Sequence, residues 1–151
     1  MSRVLTQERI DEIVRRYRPR GWRVAQSKHR WKWDSAAACN IKRVLYVPTL
    51  RAADTRADES LFLYLHEVGH VVKKHFDQKL SHHREEFEAE MFAFHIFKVE
   101  GIPVSKYIRN AIRVRLCSWI KSDIKKSISI EPHIARWAKH KVRSRGRRTS
   151  R

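Results

Sequence analysis

The residues best suited to chemistry lie together in His66-Glu67-Val68-Gly69-His70. On a helix, positions i and i+4 share one face about a turn apart, so His66 and His70 can turn imidazole nitrogens onto one zinc ion. Glu67 sits about 100° round the helix from His66, where it reaches an activated water rather than the metal and is the candidate general base. With nine His and ten Glu in 151 residues, chance produces this spacing in roughly 3% of such chains. A third ligand has to strengthen the assignment.

The longer pattern HExxHxxGxxH does not supply it, because Lys73 and Phe76 stand at its last two fixed positions and His75 is off register. The better source is Glu85-Glu86-Phe87-Glu88-Ala89-Glu90-Met91-Phe92-Ala93, where Glu85, Glu86 and Glu88 compete. Glu86, Ala89, Glu90 and Ala93 share one helical face, and the two small residues let another helix approach closely. Glu86 then completes a His2Glu zinc site with one position left open. Glu90 accepts a hydrogen bond from the outer nitrogen of a ligand histidine. Glu88 shares a different face with Met91, Phe92 and His95 and is expected to be solvated or locally paired, though it stays the competing ligand. His82 and His83, between the two helices, are alternatives as ligand or as oxyanion donor. The expected cofactor is one Zn2+ per chain.

Five helical segments and three strands are expected to position these groups. Ile10, Ile13, Val14 and Tyr17 recur at helical spacing between Thr6, an N-cap, and Pro19, so residues 7–17 read as a helix. Short strands follow at 21–25, 29–33 and 41–48. The apolar run Leu61–Val72 reads as a buried helix, and Arg84–Val99, ending before Gly101 and Pro103, as the glutamate helix. Ile108, Ile112, Leu116, Trp119 and Ile120 mark another, and Pro132 opens a last one through Trp137. The fold class expected is α+β, a minimal zincin-like domain over 1–142, with 143–151 a basic disordered tail.

Composition fits one small domain: 42% hydrophobic and 33% charged residues, with four Gly and four Pro. No apolar run approaches the roughly 20 residues that span a bilayer, and the first residues lack a signal-type apolar core, so a cytoplasmic protein is expected. Cys39 and Cys117 form no CxxC pair and are expected in the core. The net charge is +18. Counted along the sequence it is +9 over 1–51, −4 over 52–102 and +13 over 103–151, so an acidic centre sits between basic flanks suited to DNA or RNA. Candidate contacts there are Trp31 and Trp33, interleaved with Arg30 and Lys32, and the tail residues Arg143, Arg145, Arg147 and Arg148.

The pairing of His66–His70 with the Glu86–Ala93 segment resembles the HExxH plus ExxA(D/N)xFA signature of gluzincins, in particular ImmA/IrrE-type metallopeptidases of phages, integrative elements and bacteria. The resemblance covers about residues 41–100, and Glu90 stands where Asp or Asn is usual. It implies proteolysis through a zinc-activated water with Glu67 as base, acting on a specific protein, such as a DNA-bound transcriptional repressor. That family often pairs the domain with a helix-turn-helix repressor, of which no trace is legible in these residues. Zincin-type sites commonly align substrate beside an edge strand, which points to Val44 and Tyr46. Tyr46, His82, His83, His95 and Arg109 are all candidate oxyanion donors. The alternative is a non-catalytic nucleic-acid-binding protein on a zincin scaffold, indifferent to Glu67; a third is a phage accessory in which zinc is purely structural.

Overall fold

Thr6 and Pro19 bracket the first element as their chemistry dictates. In the computed structural model, which describes residues 5–27 and 36–140, the Thr6 hydroxyl accepts from the Arg9 N–H (3.3 Å) to open helix α1 (Gln7–Tyr17). The helix ends as Arg18 turns extended ahead of Pro19. Gly21, at φ 78°, turns the chain into β1 (Arg23–Gln26), a little later than expected. The other strands are β2 (Ala37–Cys39) and β3 (Val44–Val47), and the order is β1-β3-β2, with β1 parallel and β2 antiparallel to β3.

Two expectations about the sheet change. The strand expected at 29–33 lies outside the described residues, and the third strand of the described sheet is Ala37–Cys39, whose two alanines offer none of the β-branched or aromatic signal that marks strands. The stretch 41–48 forms β3, the central strand rather than an edge. Val44 is fully buried and Tyr46 is paired on both sides, to Ala25 and Ala37. Central pairing removes Val44 and Tyr46 as residues that line an edge.

The helices follow as α2 (Ala57–Val72), α3 (His82–Val99), α4 (Lys106–Lys125) and α5 (Pro132–Trp137), with a 3-10 turn at His75–Asp77 between α2 and α3. Helix α2 is buried on every side from Ser60 to Gly69 and is the hub of the core, packing Phe62, Leu65 and Val68 with Ile13 of α1, Leu45 and Val47 of β3, Phe97 of α3 and Ile112 of α4. A smaller cluster joins Leu116 and Ile120 of α4 to Ile134 and Ala138. Cys39 and Cys117 are unpaired and half-buried rather than core. Among the described residues no helix is long and apolar enough to cross a membrane. The expected basic tail lies outside them.

Helices α2 and α3 meet at Gly69. A Cβ added there would stand 3.0 Å from both the Cα and the carbonyl oxygen of Ala89 and 3.2 Å from Phe92 Cβ, tighter than ordinary contact, so a side chain here would press the two helices apart. The start of α3 is pinned as well. Buried His83 meets Asp123 Oδ2 of α4 through its ring Nδ1 (2.7 Å) and its backbone N–H (3.0 Å), and its Nε2 meets Glu131 at the α5 N-cap. The ring thereby ties the first turn of α3 to α4 and to the start of α5.

Both features predict measurable stability changes. Gly69→Ala should lower unfolding free energy by about 1–3 kcal/mol in urea titrations, because the obstacle is backbone that cannot rotate away. Asp123→Ala should cost about 3–5 kcal/mol by stranding His83. Against burial, the bonds from His83 hold the Asp123 and Glu131 carboxyls below their usual range. Depressed carboxylates stabilise above their unfolded pKa of about 4, so that contribution should fade as pH falls below about 4 in the wild type and be diminished in Asp123→Ala.

Candidate metal centre

Helical spacing puts His66 and His70 on one face of α2, and the Gly69 contact sets α3 close enough for Glu86 to reach both. One ligand atom from each of the three lies within 4.8 Å of the others. His66 Nε2 is 3.1 Å from His70 Nε2 and 3.4 Å from Glu86 Oε2, and His70 Nε2 is 3.6 Å from Glu86 Oε1. Ligand atoms about 2.05 Å from a tetrahedral zinc stand about 3.3 Å apart. The three distances lie near that value, with one Glu86 oxygen facing each histidine. Two bare imidazole nitrogens 3.1 Å apart repel, so a proton or a cation has to lie between them.

Other buried atoms fit a cation too. His66 Nδ1 and Glu90 Oε2 face each other at 3.4 Å, yet neither makes a hydrogen bond. An ion on Nε2 fixes the proton on Nδ1, the donor Glu90 needs. Two imidazoles and a carboxylate are a donor set that zinc favours. Glu67, nearly buried, has Oε1 3.8 Å from His66 Nε2.

The electrostatics separate these groups. Burial works against a charge on His66, but Glu90 and Glu86 outweigh it and push its pKa up to about 10. Burial, helped by His66, drives His70 down to about 3, which leaves it neutral. Burial raises Glu67 to about 7, with Glu86 and Glu90 adding to the shift against His66 and Arg115. Burial also opposes the Glu86 charge, yet His66, His70 and Arg115 hold that carboxyl down at about 2.

A cleft of about 370 Å³ opens over the cluster. Ala36, Ala37 and Ala38 form one wall, Phe76 and Trp119 others, and His66, Glu67, His70 and Glu86 line it. Glu85 also lines it, its pKa raised by burial. Glu88 points elsewhere, to His75 (3.1 Å) and Arg84 (3.0 Å), the local pairing expected of it. His82 is not a ligand here; it stacks on Trp119 at 5.1 Å. His83 is committed to its two carboxylates. Exposed His95 does not line the cleft, and neither does Arg109, which lies over Phe94. Trp31, Trp33, Arg143, Arg145, Arg147 and Arg148 fall outside the described residues.

Sequence reasoning missed Arg115 and His75. Arg115 reaches from α4 to Glu86 Oε2 (3.4 Å) and Glu90 Oε1 (3.7 Å) and lines the cleft. Its signal was present: Ile108, Ile112, Arg115 and Trp119 follow helical spacing, so a lone arginine interrupts a buried stripe. His75 returns to His70 because Lys74 adopts a left-handed conformation, φ 56°, for which Lys-Lys-His offers no glycine or asparagine cue. Comparisons with protein-family models, curated proteins and solved structures return no match for this chain.

Because the pKa of His66 is raised, its nitrogen carries a proton near neutrality that a metal ion must displace. Zinc uptake at pH 7 should therefore release about one proton, and apparent affinity should rise about tenfold per pH unit between pH 6 and 8. Calorimetric titration in two buffers of different ionisation enthalpy measures both.

Proposed function

We propose that this chain is a zinc-dependent endopeptidase of gluzincin type. The observation that carries the reading is the conjunction of two imidazole nitrogens and a carboxylate converging within 4.8 Å with a buried, pKa-raised carboxylate, Glu67, in the same cleft. A purely structural zinc has no use for such a base. The resemblance of the His66–His70 and Glu86–Ala93 segments to ImmA/IrrE-type metallopeptidases supports the same reading, as does an α+β scaffold with the two motif helices packed together.

His66, His70 and Glu86 would hold the ion. Zinc in such a site supplies a Lewis acid that polarises a scissile carbonyl and lowers the pKa of water. The remaining steps belong to the protein. Glu67, with a pKa close to neutrality, takes a proton on a carboxylate oxygen from the attacking water and delivers it to the leaving amine nitrogen. Arg115 neutralises part of the charge that Glu86 and Glu90 gather. β2 is an outer strand of the described sheet, and its Ala37 and Ala38 line the cleft. An extended peptide laid along it gains backbone hydrogen bonds without steric selection by large side chains. This takes the role first assigned to Val44 and Tyr46.

The substrate we propose is a protein associated with DNA, such as a transcriptional repressor. The net charge of +18 supports it, because a basic enzyme concentrates near DNA and its bound regulators.

Glu67→Gln should keep wild-type zinc content and lose at least about 10²-fold in cleavage rate. The check is incubation of zinc-loaded proteins with a proteome-derived peptide library, with new termini identified by mass spectrometry. Cleavage that is equal in both proteins, or absent while zinc is bound by the wild type, would overturn the peptidase assignment.

A further inference from the structure

We infer that His75, backed by Glu88, is the positioning residue that holds His70 with its Nε2 bare and aimed at the metal. The inference rests on the metal-binding part of the proposed function and deepens it. His75 is almost wholly buried, yet it belongs neither to the ligand set nor to the apolar core. Its ring meets that of His70 edge-on, with centroids 5.0 Å apart and an interplanar angle of 73°.

The hydrogen-bond chain has a direction. His70 Nδ1 is 2.8 Å from His75 Nδ1, His75 Nε2 is 3.1 Å from Glu88 Oε2, and Glu88 Oε1 accepts from Arg84 Nε at 3.0 Å. An ionised carboxylate only accepts, so His75 Nε2 carries the hydrogen and, in a neutral ring, Nδ1 is the bare nitrogen. That nitrogen can only accept from His70 Nδ1–H. A neutral His70 with its hydrogen on Nδ1 has its lone pair on Nε2, the atom that faces His66 and Glu86. The reverse assignment would set the bare Nε2 of His75 against the carboxylate oxygen.

The chain also fixes the His70 ring. His70 lies in the last turn of α2, which ends two residues later at Val72, so few residues of its own helix remain to hold the ring. The left-handed Lys74 folds the 3-10 turn back so that His75 closes against this last turn. His66, deeper in the helix, faces Glu90 of α3 at 3.4 Å; His70 is oriented through the turn and then from α3 by Glu88. Each ligand histidine thereby has its own carboxylate, one facing it directly and one through a second imidazole.

The test measures zinc affinity by competition with a chromophoric chelator on the full chain, for wild type, His75→Phe, His75→Asn and Glu88→Leu. His75→Phe should bind zinc about 10–100-fold more weakly. His75→Asn should recover most of that loss, since its amide oxygen can accept where Nδ1 did, and Glu88→Leu should weaken binding about tenfold. A 15N spectrum of the histidine rings adds a readout that mere packing would not move: a coupling across the hydrogen bond between the two Nδ1 atoms, with His75 protonated on Nε2. If His75→Phe does not fold, the half-buried Glu88→Leu and the ring spectrum of the wild type decide. Wild-type zinc uptake with unchanged affinity in folded His75→Phe or in Glu88→Leu, or a His75 ring protonated on Nδ1 and bare on Nε2, overturns the inference alone. No zinc uptake by the wild type overturns the metal reading, and the inference with it.

Discussion

Everything in the candidate site depends on how closely α2 and α3 approach, and the Gly69–Ala89 contact sets that distance. The ligands come from both helices, two histidines from one and a carboxylate from the other. A side chain at position 69 would press the helices apart by a few tenths of an ångström and shift Glu86 relative to the nitrogens it faces at 3.4 and 3.6 Å. Zinc tolerates little variation in bond length. The absence of a side chain at position 69 is thus a requirement of packing that the chemistry inherits. Ala89 and Ala93, both fully buried, extend the same seam.

Bringing the helices together gathers like charges, and that second constraint explains the polar groups around the ligands. Glu67, Glu86 and Glu90 converge on one interface, where three buried carboxylates without countercharge would be prohibitive. His66 and Arg115 are the cations beside them. The carboxylates raise His66, while burial, with Glu86 and Glu90 adding to it, raises Glu67 to about 7, so the interface that could suit a divalent ion also equips Glu67 to exchange a proton. The proposed metal affinity and base strength would both follow from burying these charges together.

What could be read in the sequence follows from the range of the signal. The HExxH helix, the glutamate helix and the ligand face Glu86–Glu90 were legible because i, i+4 periodicity is local. Glu90 lies opposite His66 despite standing where a shorter Asp or Asn is usual. In the sheet β1 and β3 were legible, whereas Ala37–Cys39 has no strand propensity of its own and is held by pairing with β3. Strand order was hidden for the same reason: whether 44–47 is an edge depends on partners distant in the chain. His75 was dismissed by register along a continuing helix, but α2 stops at Val72 and the turn at Lys74 brings the ring back. Arg115 and Asp123 were visible as charges on the apolar stripe of α4, though a stripe does not say which partner each will meet.

Those two α4 charges explain how a small, highly charged chain can hold such a site rigid. Asp123 secures the first turn of α3 through His83, and Arg115, about two turns earlier on α4, reaches Glu86 and Glu90 on the same helix. Helix α3 is therefore gripped by α4 at its start and at its ligands, while its other end is tied to α1 by Arg9, Arg16 and Tyr17 around Glu100. A helix held at three places cannot rotate enough to exchange Glu86 for Glu88, which would require a turn of about 160° to bring the other carboxylate inward. Which glutamate faces the two histidines is in this sense decided at a distance from them. The ion pairs that look like decoration on a basic protein fix the rotation of α3, and that rotation decides which glutamate meets the histidines.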